Sequence, residues 1–167
     1  MKKQLLFFAL ICSCFLGNAQ GIKFKKSYGN SGFDFGRGVL QLQDSSYLIT
    51  GSSSSNSQNS ADAFIMHVDS LGELINTWFY GGSETEWGEK IVIGADSSIA
   101  IAGYSNSSGN GGFDFYFLKT DINKSLVVEK TYGGTGWDFA YDLIPLADSG
   151  YIMVGETSSF DASGTDA

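Results

Sequence analysis

Short apolar runs of four to seven residues recur along the chain, divided by Gly, Ser, Asn and Asp clusters. No run after the N-terminal segment keeps a helical period for long. The runs Tyr47-Leu48-Ile49-Thr50, Ala63-Phe64-Ile65-Met66 and Phe115-Tyr116-Phe117-Leu118 are rich in β-branched and aromatic residues and bounded by turn formers. That pattern predicts strands. Four strands are expected in each segment. The first covers 38–43, 90–95 and 142–147. The second starts at Tyr47, Ile99 and Tyr151 and ends at a glycine. The third covers 63–68 and 115–120, and the fourth 74–80 and 126–132. Several runs are apolar at successive positions, so both faces of their sheets are expected to be covered.

The segments are copies of one another. Tyr28-Gly29, Tyr80-Gly81 and Tyr132-Gly133 are spaced by 52 residues, as are Gly51, Gly103 and Gly155. Asp44-Ser45, Asp96-Ser97 and Asp148-Ser149 follow the same interval, and so do Asp62, Asp114 and Asp166. Looser columns agree: Phe35/Trp87/Phe139 are aromatic, Asp34/Glu86/Asp138 acidic and Val39/Ile91/Leu143 aliphatic. Unrelated residue types sharing one period without a gap mark a tandem repeat. Asp and Ser suit the turn after the first strand, because their side chains hydrogen-bond nearby backbone. The repeated glycine marks a close approach of backbone.

A lone four-stranded sheet cannot cover both of its faces, whereas a sheet stacked between copies of itself can. A unit of this length therefore predicts an all-β chain of β-propeller-type four-stranded antiparallel blades in tandem. A linear β-solenoid is the rival, but its coils are usually shorter. Residues 20–167 form the repeat region, with a leading fourth strand at 22–28 and units at 29–80, 81–132 and 133–167. Under three blades are encoded, while ring closure usually takes at least four. The chain is therefore expected to be part of a longer protein, or to assemble from several copies.

The N-terminus carries an address. Lys2 and Lys3 precede an uncharged, mostly apolar run at 5–16, and Gly17-Asn18-Ala19 places small residues before Gln20. This predicts a secretory signal peptide at 1–19. Twelve helical residues span about 18 Å, too short for a bilayer core about 30 Å thick. Cleavage would remove both cysteines, Cys12 and Cys14. A rival reading makes Cys14 a lipid acceptor, since Ile11-Cys12-Ser13-Cys14 loosely resembles a lipobox. No later run is long enough to span a membrane.

Composition narrows the function. Cleavage also removes Lys2 and Lys3, so eight basic residues remain against 18 acidic ones, a net charge of −10. That acidity argues against a nucleic-acid partner. Aromatics reach 14% of the chain, too many for a disordered segment.

The elements Tyr132-Gly133-Gly134-Thr135-Gly136-Trp137-Asp138 and Asp148-Ser149-Gly150-Tyr151-Ile152-Met153-Val154-Gly155 carry a resemblance, with Gly112-Phe113-Asp114-Phe115-Tyr116-Phe117-Leu118-Lys119-Thr120-Asp121 as the third-strand signature. The chain resembles the secreted β-propeller repeat proteins of Bacteroidetes-type bacteria over about 22–167. The resemblance implies export, and often a C-terminal sorting domain for a dedicated (type IX) secretion system. It implies no particular activity. The second unit departs from the pattern at Ser83-Glu84-Thr85-Glu86-Trp87, and at Lys124 where the first unit has Gly72.

Residues repeated in every unit are expected to be structural, the Asp columns included, with Ca²⁺ ligation as the alternative for Asp62, Asp114 and Asp166. Function belongs where the units differ. The only histidine, His67, leaves no common zinc site and no metal or cofactor is predicted. Gly109 to Gly112 opens no helix and is not a phosphate loop. Two candidates for ligand contact remain. Trp87 and Trp137 have rings suited to sugar stacking, with filling of an aromatic column as the alternative. Glu84, Glu86 and Glu89 form an acidic cluster peculiar to the second unit, in which a carboxylate pair is conceivable for glycoside chemistry, with a solvated loop as the alternative. The leading expectation is an exported, non-catalytic binding or adhesion scaffold. The second is a carbohydrate-binding or polysaccharide-degrading module. The partner is accordingly a carbohydrate or a cell-surface protein.

Overall fold

The computed structural model describes residues 24–55 and 60–160. The expected signal peptide, Cys14 and Asp166 lie outside them. The described chain is all-β. Its ten strands are β1 Asp34–Gln41, β2 Tyr47–Ser53, β3 Asp62–Val68, β4 Leu74–Tyr80, β5 Glu86–Ile93, β6 Ile99–Ser105, β7 Asp114–Thr120, β8 Leu126–Tyr132, β9 Asp138–Pro145 and β10 Tyr151–Thr157. They form antiparallel sheets in the orders β1-β2-β3-β4, β5-β6-β7-β8 and β10-β9. Equivalent strands begin 52 residues apart, so the sequence period is a structural period.

All described pairings are antiparallel between sequence neighbours, unlike the parallel coils of a solenoid. The fourth strands match the expected bounds. The first strands differ from expectation by starting four residues earlier, at Asp34, Glu86 and Asp138. The second strands run beyond their glycine to Ser53, Ser105 and Thr157. Both extensions come from a β-bulge. Gly36 faces Gly51 while Gly38 faces Thr50, which leaves Arg37 as the extra residue. Glu89 and Tyr141 are bulged in the same way. A bulge breaks strict alternation, so pattern reading stops where the ladder continues.

The repeated glycine lies at this crossing. A Cβ on Gly51, Gly103 or Gly155 would fall 1.7, 1.7 or 1.9 Å from the carbonyl oxygen of Phe35, Trp87 or Phe139. The turns use Asp as expected. Asp44 Oδ1 accepts from Ser46 N at 3.0 Å, Asp96 Oδ1 from Ser98 N at 3.1 Å and Asp148 Oδ1 from Gly150 N at 3.0 Å. Ser45, Ser97 and Ser149 each take φ between 63° and 69° to close the turn.

The sheets stack face to face. Leu48, Ala63 and Ile65 of the first pack on Ile91, Ile99, Ile101, Tyr116 and Leu118 of the second. The opposite face of the second sheet presents Ala100, Ala102 and Phe117 to Ala140 and Leu143 of the third. The middle sheet is thus covered on both sides, as its uninterrupted apolar runs require. Backbone bonds repeat at both junctions: Glu86 N donates to Ala61 O at 2.7 Å, and Asp138 N to Phe113 O at 2.6 Å.

Residues 24–28, the described part of the expected leading strand, have no ladder partner. They still keep their repeat position. Tyr28 donates its hydroxyl to Gly72 O at 2.7 Å, as Tyr80 does to Lys124 O at 2.6 Å. Lys124 takes the left-handed φ of 69° that Gly72 supplies more easily, and its ammonium lies 5.1 Å from the Trp78 ring centroid. Among the described residues no helix is long and apolar enough to cross a membrane.

Candidate functional site

The acidic column at the head of each first strand is built into the fold. Asp34, Glu86 and Asp138 each accept a backbone N–H from four residues earlier: Asn30 at 3.2 Å, Gly82 at 2.9 Å and Gly134 at 2.9 Å. Each also accepts a hydroxyl from the neighbouring second strand, namely Ser53, Ser105 and Thr157. This hydroxyl column has the same 52-residue spacing and is readable in the sequence once the acid is known to need a donor. Burial works to raise the Asp34 carboxyl, but the bonds from Ser53, Ser55 and Asn30 hold it below the usual carboxylate range.

This arrangement separates two glutamates of the sequence reading, Glu84 and Glu86. Glu86 is 1% exposed, and its oxygens are engaged by Ser105 and Gly82. Glu84 is exposed in the preceding loop, where its backbone N–H donates to Ser107 Oγ at 2.9 Å. The structure does not bring the two carboxylates to one solvent-facing cleft.

The Asp62 and Asp114 column sits at the junctions between sheets. Asp114 Oδ2 accepts from Asn110 N at 3.0 Å, pinning its loop as expected. Among the described residues no group of three or more potential metal ligands is gathered. His67 joins Ser46 Oγ at 2.9 Å, and burial first, then the Lys124 charge, lower its pKa.

What remains is an aromatic rim. Phe35, Trp87 and Phe139 occupy the head of the first strands, one per sheet. Trp87 lies 5.1 Å from Phe35 and 5.9 Å from Tyr104, and Tyr104 meets Phe139 edge-on at 4.8 Å. Offset and edge-on geometries suit the ring quadrupoles. Trp87 is therefore the central ring of a continuous run, with the Arg37 guanidinium 5.2 Å above it. It fills the aromatic column. Trp137 stands at the outer edge, 57% exposed, held edge-on by Phe113 at 5.8 Å and Phe139 at 5.9 Å.

The bulged residues Arg37, Glu89 and Tyr141 follow this column along the first strands. They share one repeat position and have three different chemistries. Arg37 pairs with Glu89 at 3.7 Å, and the Tyr141 hydroxyl donates to Glu156 at 2.6 Å. Burial, then the Glu89 charge, push the Tyr104 hydroxyl up to about 12, so it is a neutral donor at physiological pH. The sequence reading missed this strip. Its signal is divergence at one column of an otherwise regular repeat, two residues past the shared aromatic.

No family model and no curated relative matches the chain.

Proposed function

We propose that the chain is an exported, non-catalytic binding scaffold of the β-propeller type, akin to the secreted Bacteroidetes-type repeat proteins its motifs resemble. The observation that carries the binding role is the division of labour among its polar and aromatic residues. The acids at the heads of the first strands, Asp34, Glu86 and Asp138, are spent on backbone and hydroxyl hydrogen bonds. The residues that differ between units gather on one rim, where exposed rings and an Arg-Glu-Tyr strip are left for a partner. In a closed propeller the blades surround a central channel, so strand heads that are equivalent in every blade would recur around the ring on one side of it. Export rests on the basic, apolar and small-residue pattern of the N-terminal segment.

A carbohydrate partner is favoured by one feature, the half-exposed indole of Trp137. Its face carries negative quadrupole density, which complements the C–H face of a pyranose, and its neighbours hold it in place without covering it. A glycan array probed with the full chain and with Trp137→Ala tests this. Sugar binding lost in the variant with unfolding temperature unchanged supports it; no binding to any glycan refutes it. The non-catalytic reading fails if a polysaccharide is cleaved and cleavage is lost in Glu84→Gln, or in Glu86→Gln shown by circular dichroism to be folded.

A further inference from the structure

We propose that Asn110 is a site of spontaneous backbone modification, deamidation to aspartate and isoaspartate, and that the isoaspartate displaces the indole of Trp137. Asn110 and Gly111 form the one Asn-Gly pair of the chain. They lie in the loop between β6 and β7, and both are exposed. The reaction needs a free carboxamide, a free amide nitrogen one residue on, and no side chain at that next residue to block the attack. All three meet here. Asn110 spends its own backbone N–H on Asp114 Oδ2 at 3.0 Å. Among the described residues its carboxamide has no hydrogen-bond partner, and neither has the Gly111 N–H. Gly111 has no Cβ and takes a φ of 112°, which a larger residue rarely adopts.

The other described asparagines lack this combination. Asn76 Oδ1 accepts from Thr77 N at 2.9 Å, the nitrogen that would have to attack. Asn106 Oδ1 accepts from Thr85 N at 2.7 Å. Asn30 and Asn123 precede Ser31 and Lys124, whose side chains crowd the approach.

The step balances with water alone. Gly111 N gives up its proton to solvent hydroxide and attacks Asn110 Cγ. The new C–N bond closes a five-membered succinimide, and the carboxamide nitrogen leaves as ammonia. Water then opens the ring at either carbonyl. One opening returns aspartate. The other returns isoaspartate, whose main chain runs through the former side chain and gains a methylene.

That methylene falls between two pins. Asn110 N is held by Asp114, and Gly112 N donates to Gly136 O at 3.0 Å. The chain between them has no slack. A Cβ on Gly111 would lie 2.4 Å from Thr135 O, and one on Gly112 would lie 2.4 Å from Trp137 Cδ1 and 2.6 Å from its Nε1. Gly112 is thus the shelf beneath the indole, and Phe113 beside it holds the ring edge-on at 5.8 Å. Lengthening the loop pushes this shelf against the exposed ring. The inference stands apart from the sugar reading, because its readouts are mass and emission rather than binding.

Peptide mapping by mass spectrometry of the full chain, held in mildly alkaline buffer and sampled over days, tests the proposal. The marker is an amide replaced by an acid at residue 110, with isoaspartate identified by isoaspartyl methyltransferase labelling. Asn110 should be lost several times faster than any other asparagine. The tryptophan emission of the folded chain should shift in step with isoaspartate at 110. Trp137→Phe should abolish that shift and leave the rate of modification unchanged. Asn110→Gln keeps the N–H that Asp114 accepts but would need a six-membered ring, so it should show neither modification nor shift. Both positions are exposed, and circular dichroism checks that each variant keeps the parent fold. An Asn110 that stays intact, another asparagine that converts first, or an emission shift that is absent at full conversion or persists in Trp137→Phe would overturn the proposal.

Discussion

Two buried acids face each other across the second junction, and replacing one of them should strengthen the fold. Asp114 and Asp138 are each 1% exposed. Asp114 Oδ1 and Asp138 Oδ2 lie 1.8 and 2.4 Å from the point that a Cβ on Gly133 would occupy, so only glycine leaves room for them to approach. Asp138 is richly supplied. Burial raises its carboxyl, but bonds from Ser159, Thr157 and Gly134 outweigh that and hold it ionised. Asp114 is not. Burial raises its pKa, the Asn110 N–H opposes, and the Asp138 charge raises it further. Among the described residues its Oδ1 is the one buried side-chain polar atom without a hydrogen-bond partner.

Asp114→Asn keeps an oxygen for Asn110 N and puts an N–H where Oδ1 was, aimed at Asp138. An unsatisfied buried acceptor costs about 1–3 kcal/mol. The variant should therefore gain about 1–2 kcal/mol at neutral pH, roughly 3–6 °C in Tm for a chain of this size. The sign follows from linkage. A carboxyl whose pKa is raised by folding contributes its stability below its unfolded value, near 3.8, and loses it as pH rises through the folded value. Below about pH 3.8 the parent Asp114 carries its own proton and donates it, so the advantage of Asn should vanish there. Thermal unfolding of both proteins by circular dichroism between pH 3 and 8 measures the difference. The reasoning is refuted if Asn is less stable at neutral pH, or if the gap does not change with pH.

Three further substitutions probe the repeat. Gly103→Ala places a methyl 1.7 Å from Trp87 O, so it should lose about 3 kcal/mol or more in urea unfolding. Ser97→Gly removes the penalty of a left-handed φ of 63° in a turn and should gain about 0.5–1 kcal/mol, seen as a raised denaturation midpoint. Ser105→Ala deprives buried Glu86 Oε1 of its 2.7 Å donor and should cost about 1–3 kcal/mol, with Ser105→Thr restoring most of it.

Much of the fold was legible before any coordinates. The turns announced themselves through Asp-Ser, and the third and fourth strands through apolar runs, because local hydrogen bonding and side-chain packing act within a few residues. The heads of the first strands were not legible. The bulges at Arg37, Glu89 and Tyr141 break the two-residue alternation, so the ladder from Asp34 to Gly36 looked like loop. The site divides in the same way. Trp137 was found by its chemistry, and the structure leaves it exposed. Glu86 looked like the exposed partner of Glu84, because sequence adjacency says nothing about which side of a strand head turns inward. Glu89 was read only as part of the acidic cluster of the second unit, and its place in one strip with Arg37 and Tyr141 was missed because no motif joins them; only the bulge does.

The sequence by itself determined the period, the all-β character and the stacking of apolar faces, since each follows from residue type at a fixed interval. Tertiary structure alone decided which carboxylates are consumed by hydrogen bonds and which rings form a continuous rim. Those outcomes depend on partners distant in sequence: the carboxylates take hydroxyls from the next strand of their own sheet, 19 positions along the chain, and the rings meet across neighbouring sheets.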